Sequence, residues 1–76
     1  MKDWVHFEDG SKYKGQWLGL DKDGDGILVS SDGSIYEGKF REDKPNGIGK
    51  NESSIGTYTG GWLNGLRHGY GEETWI

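Results

Sequence analysis

The segments "YKGQW" at residues 13–17, "YEGKF" at 36–40 and "YTGGW" at 58–62 put an aromatic, a glycine and a second aromatic on every other position, with polar residues between them. Alternation of period two predicts short β-strands whose two rings and glycine share one side of the pleat, the glycine leaving room for a neighbouring ring. "WVHF" at 4–7 and "ILV" at 27–29 read as further extended runs. Asp9-Gly10 and Asp32-Gly33 stand between such runs as hairpin signals. The stretches 19–25 and 42–47 are rich in Gly, Asp, Asn and Pro and predict loops, and no stretch keeps helical spacing. The expected architecture is all-β: an elongated, single-layer antiparallel meander of β-hairpins with about seven short strands, forming one domain over residues 1–76.

The pattern is also periodic at a longer scale. Tyr13, Tyr36 and Tyr58 are 23 and 22 residues apart, and eleven residues after each comes a Gly-x-Gly, at Gly24/Gly26, Gly47/Gly49 and Gly69/Gly71. With Gly10, Gly33 and Gly56 ahead of each Tyr and Gly15, Gly38 and Gly60 inside each strand, the repeat places every one of the 15 glycines except Gly19, Gly61 and Gly65. Glycine is therefore punctuation in a repeat architecture and not low complexity. Three units follow, at 13–35, 36–57 and 58–76, preceded by an N-terminal half-unit. Units this small cannot bury a face alone, so three stacked copies are near the minimum for stability, with Trp4 to Phe7 and Glu72 to Ile76 as end caps.

The third unit, "YTGGWLNGLRHGYGEETW", resembles a MORN repeat: a Tyr-x-Gly-x-aromatic strand, a polar segment with Asn-Gly and Arg-His-Gly, then a Gly-x-Gly. The likeness extends over roughly residues 4–75. The first two units depart from it where Leu20 and Asp43 stand in the place of Gly65, and neither has Arg-His before its Gly-x-Gly. The resemblance implies stacked β-hairpins in a slightly twisted sheet, with an aromatic-lined groove that holds other proteins. Some members of the family are associated with membranes and phosphoinositides. The acidic balance of this chain counts against that role here.

That balance is a net charge of -4 and a pI near 5.0. It gives no broad attraction to nucleic acid or anionic lipid, so direct nucleic-acid binding and membrane binding are not expected. At 76 residues, with no cysteine and 30% hydrophobic residues, the chain leans on its aromatics to build a core. The absence of cysteine and of any signal-like or membrane-spanning run makes a cytoplasmic location the expectation.

One stretch suggests metal chemistry. "DKDGDGILVSSD" sets Asp21, Asp23, Asp25 and Asp32 at the first, third, fifth and twelfth positions of an EF-hand-like calcium ladder, with a glycine at the sixth. Yet the flanks carry no helical pattern, the twelfth residue is Asp and not Glu, and the glycines recur at 47 and 49 without any aspartates. An acidic stretch with no cofactor is the expectation, and a weak calcium-dependent module is the lesser alternative. Asn51-Glu52-Ser53 matches a glycosylation sequon, read as accidental in a chain with no secretory signal. His6 and His68 read as structural, the serines fall on turns and strands, and the Gly-x-Gly pairs lack the strand-to-helix context of a phosphate loop, so no enzyme is expected.

The remaining candidate is the aromatic ladder. Tyr13, Trp17, Tyr36, Phe40, Tyr58 and Trp62 should line one face, and a single-layer sheet leaves part of that face open to a partner chain. The primary expectation is a non-enzymatic protein-binding module, with the acidic stretch favouring a basic partner surface. A different class is a small acidic inhibitor of phage type that occupies the basic cleft of a nucleic-acid-binding enzyme. Outer strands that could pair with another copy add homodimerisation, and a bare scaffold is the blandest option.

Overall fold

The structure is a computed structural model that describes residues 4–75. It consists of one seven-stranded antiparallel sheet in sequential order. The strands are β1 (Val5–His6), β2 (Lys12–Leu18), β3 (Asp21–Val29), β4 (Ile35–Arg41), β5 (Lys44–Ser53), β6 (Gly56–Leu63) and β7 (Leu66–Trp75). The stack measures 33 × 23 × 18 Å. The expected all-β meander is thus the observed one.

The expected loops at 19–25 and 42–47 are not. Two-residue turns at Gly19-Leu20, Glu42-Asp43 and Asn64-Gly65 join the two strands of each unit, and the polar stretches after them run on as strand. Glu42 and Asp43 adopt φ of 51° and 74°, Asn64 and Gly65 φ of 51° and 84°, the paired positive values of a type I′ hairpin. Such turns match the twist of the strands, so they need no extra loop length.

What made these stretches resemble loops is an irregularity at one place in each unit. The register shifts between Gly15 and Trp17, between Gly38 and Phe40, and between Gly60 and Trp62, because the return strand carries extra residues there. The extra residues centre on Gly24, Gly47 and Gly69, with φ of 90°, 102° and 73°. A bulge in this conformation bends its strand and increases the local twist. The first glycine of each Gly-x-Gly thus makes the bend, and the second makes room: a side chain at Gly26, Gly49 or Gly71 would run into the ring of Tyr13, Tyr36 or Tyr58.

The ends of the stack differ from expectation at one side. β1 pairs with β2 at only Val5↔Tyr13 and His6↔Lys12, a short cap. Glu72–Trp75 is no separate cap, because β7 continues unbroken through it, its outer edge unpaired among the described residues; Ile76 lies outside them. The shorter second unit loses its residue in a turn, where Ser54-Ile55 replaces the longer Ser31-Asp32-Gly33 connection. In that longer connection, and in the matching one at Asp9-Gly10, an aspartate accepts from the backbone and hydroxyl of the serine two residues on.

Candidate functional site: an aromatic ladder and its rim

Each bulge lets the return strand bend beside the aromatic face. The hydroxyl of each repeat tyrosine then reaches a carbonyl three residues along its own strand: Tyr13 to Gln16 at 2.6 Å, Tyr36 to Lys39 at 2.7 Å and Tyr58 to Gly61 at 3.1 Å. These bonds keep polar atoms satisfied inside an otherwise apolar stack.

The six aromatic residues predicted from the sequence do come together. In the order Trp17, Tyr13, Phe40, Tyr36, Trp62, Tyr58 every successive pair meets edge to face, with centroids 4.9 to 5.3 Å apart and planes close to perpendicular. Each such pair contributes about 0.5–1.5 kcal/mol beyond the area it buries. Phe40 and Trp62 each bridge the tyrosines of two units, so the ladder joins the repeats as well as filling them.

As a ready-made groove the ladder is largely closed. Tyr13, Tyr36, Phe40 and Tyr58 are buried, and together with Phe7 and Leu28 they make up the core. Only Trp17 and Trp62 keep part of their surface open. The rest is closed by each tyrosine lying over the glycines of its own unit and against the neighbouring rings, which the alternation alone does not reveal. Burial also pushes the Tyr36 phenol up to about 12, and raises that of Tyr13 with help from the carboxylates of Asp23, Asp25 and Asp43.

Cations cover the ends of the ladder. The Lys22 ammonium lies 5.0 Å from the centre of the Phe7 ring and 5.7 Å from that of Tyr13, while the Arg67 guanidinium lies 4.3 Å from the Tyr58 ring and pairs with Glu73 at 2.8 Å. Lys22, Pro45 and Arg67 occupy the same place, nine residues after the repeat tyrosine. Consecutive turns dock on this place: the Asp43 amide donates to the Lys22 carbonyl at 3.0 Å and the Gly65 amide to the Pro45 carbonyl at 2.9 Å.

The rim of turns is apolar at both ends. Leu18 and Leu20 stand out at the first turn, Leu63 and Leu66 at the third, with Leu20 93% exposed. Between them the second turn presents Arg41, Glu42 and Lys44. Periodicity did not single out these leucines; their position beside two-residue turns would have been the signal. The opposite face mixes charged and apolar side chains, with Lys39 paired to Asp25 at 2.7 Å, and carries a shallow depression of about 420 Å³ bordered by Trp4, Lys14, Ile27 and Glu37.

The aspartate ladder is spread out. Asp21 begins β3, Asp25 is engaged by Lys39, and Asp32 sits beyond the other end of the strand, where it holds its turn through Ser34. Among the described residues no three His, Cys, Asp or Glu side chains gather as metal ligands. His6 and His68 are both exposed, on strands at opposite edges of the sheet.

A bent, stacked β-hairpin repeat with a tyrosine over glycine in every unit is a repeat module and not a closed globular domain. The family model for the MORN repeat matches residues 36–52 and 58–76, and the chain belongs to the MORN-repeat family. That family is one of generally non-enzymatic repeat modules that bind proteins or membranes. No curated protein matches the chain.

Proposed function

We propose that the chain is a non-enzymatic protein-binding module whose contact surface is the rim of the aromatic ladder: Trp17 and Trp62 with Leu18, Leu20, Leu63 and Leu66. The observation that supports this reading is the exposure of four leucines beside the only two ladder rings left partly open. An apolar row flanked by indoles is suited to anchor contacts, and exposed apolar residues grouped along one edge carry a cost in water that a partner removes. Asp21, paired across the turn with Leu18, adds negative charge at the same rim and favours a partner with basic residues there.

The test is capture from a lysate of the source cells by the immobilised chain and by Leu20→Ser and Leu66→Ser variants, read by quantitative mass spectrometry. Both leucines lie outside the core, so folding should survive, as circular dichroism would verify. A partner held by the wild type should be lost from both variants. Equal recovery on all three would sink the rim as the contact surface.

A further inference from the structure

The two ends of the sheet are complementary to each other. β3 and β5 each receive the Tyr-x-Gly-x-aromatic strand of the next unit on their outer edge, in one shared register: Gly26↔Gly38 and Ile27↔Glu37 for the first, Gly49↔Gly60 and Lys50↔Thr59 for the second. β7 is the same strand in the third unit, and among the described residues nothing pairs with its outer edge. At the other end, β2 is a Tyr-x-Gly-x-aromatic strand whose outer edge is covered by β1 at only two positions.

Three features mark the two edges as complementary. The indole nitrogen of Trp62 donates to the carbonyl of Gly49 in the unit before it, at 3.1 Å, whereas that of Trp17, the matching residue, is buried with no hydrogen-bond partner among the described residues. A buried donor left unpaired is costly. At the far end, Tyr13 and Tyr36 each meet two ladder rings but Tyr58 meets only Trp62, its open side covered by Arg67. The repeat register, continued across two molecules, sets Gly71 against Gly15, Glu72 against Lys14, and Thr74 against Lys12. β7 thus offers Glu72 where β2 offers Lys14, while Glu73, opposite Tyr13 on the other face, stays with Arg67.

We infer that the chain assembles head to tail, β7 of one copy pairing with β2 of the next as β3 pairs with β4. The occupant of both free edges is a second copy. Gly71 then supplies the carbonyl that the Trp17 indole lacks, and Trp17 supplies the second ring for Tyr58. β1 and Trp4 are a placeholder: their two pairs with β2 give way to the six that a full return strand makes in the β3–β4 interface. Direct β7-to-β7 pairing is disfavoured, because it brings the Glu72 and Glu73 carboxylates of two copies to one seam. A head-to-tail contact does not close on itself after two copies, so it builds chains of molecules.

The experiment is sedimentation of the full chain from micromolar to millimolar concentration, alongside Lys14→Glu, Glu72→Lys and the double variant carrying both. Wild-type mass should rise past the dimer with concentration. Each single variant should weaken association by roughly fivefold, as like charges come to face each other across strands, and the double variant should restore it. The two singles alter opposite edges, so a folding defect in one leaves the other informative. The Trp17 indole N–H resonance, assigned by its loss in Trp17→Phe, should move downfield as mass rises. A chain that stays monomeric throughout, or that associates regardless of Lys14→Glu with the Trp17 resonance unmoved, overturns the head-to-tail arrangement.

Discussion

The backbone amide of Lys22 donates to the Asp43 carboxylate at 3.0 Å, tying the turn of the second hairpin to the first, and the Lys22 ammonium meets the same oxygen at 3.2 Å. One unit further on, Pro45 stands in the place of Lys22 and has no amide hydrogen, and Gly65 stands in the place of Asp43. The departure from the family pattern at Asp43 thus answers a local need: a free N–H in one unit calls for a carboxylate, and its absence in the next allows a glycine. Asp43→Ala removes the acceptor while keeping an unfavourable φ of 74°, and should cost about 2 kcal/mol in chemical denaturation. Asp43→Asn keeps an amide-accepting oxygen, suits a positive φ better, and should cost less than half as much.

The same contact sets an acid dependence. The Lys22 amide, then its ammonium, holds the Asp43 carboxyl below its ordinary 3.8, and Ser11 and Ser34 do the same for Asp9 and Asp32 in their turns. Carboxyls depressed in the folded state contribute stability that is complete above the unfolded value and lost as pH falls through the folded one. Melting temperature should therefore decline below about pH 4, and Asp43→Asn should flatten part of that decline. An identical acid profile in the variant would remove Asp43 from the account.

At the alkaline end the sign reverses. Burial raises the Tyr36 phenol from 10.0 to about 12, so its contribution is whole below pH 10 and disappears as pH rises towards 12. Tyr36→Phe should lose about 1 kcal/mol at neutral pH, with the Lys39 carbonyl left unpaired. Above pH 10 the gap between variant and wild type should narrow, which paired melts at the two pH values would measure.

The two glycines of each Gly-x-Gly are separable by substitution. Gly69→Ala meets open space and pays only for a φ of 73°, about 1–2 kcal/mol. Gly49→Ala drives a methyl into the Tyr36 ring and should cost about 3 kcal/mol or more, as overpacking of a core does. Equal losses in urea titration would mean that the second glycine serves the backbone and not the ring.

The strands around Tyr13, Tyr36 and Tyr58, the Asp-Gly turns and the places of the glycines were all legible, because each rests on local alternation or a fixed offset. The tight turns were not: Glu42 is a poor residue for positive φ and no glycine follows it, so nothing in "REDK" announces a type I′ turn, and Leu20 hides the equivalent turn in the first unit. Asp23-Gly24-Asp25 read as a loop because a bulge interrupts period two without ending the strand. The candidate groove was visible as six rings on one face, but its closure was not. Burial of Tyr36 and Phe40 comes from packing against Gly49 and against rings of the neighbouring units, contacts made between strands.

The second turn carries a correctable strain. Glu42 adopts φ of 51° at the position filled by Asn64 in the third unit, and Asn tolerates that conformation better than Glu. The Glu42 side chain is exposed, with no ion pair among the described residues, so replacing it forfeits no contact. Glu42→Asn should stabilise the chain by roughly 0.5–1 kcal/mol, read as a higher urea midpoint at unchanged slope. If the midpoint falls instead, the turn is held by a Glu42 interaction that the sheet geometry does not contain.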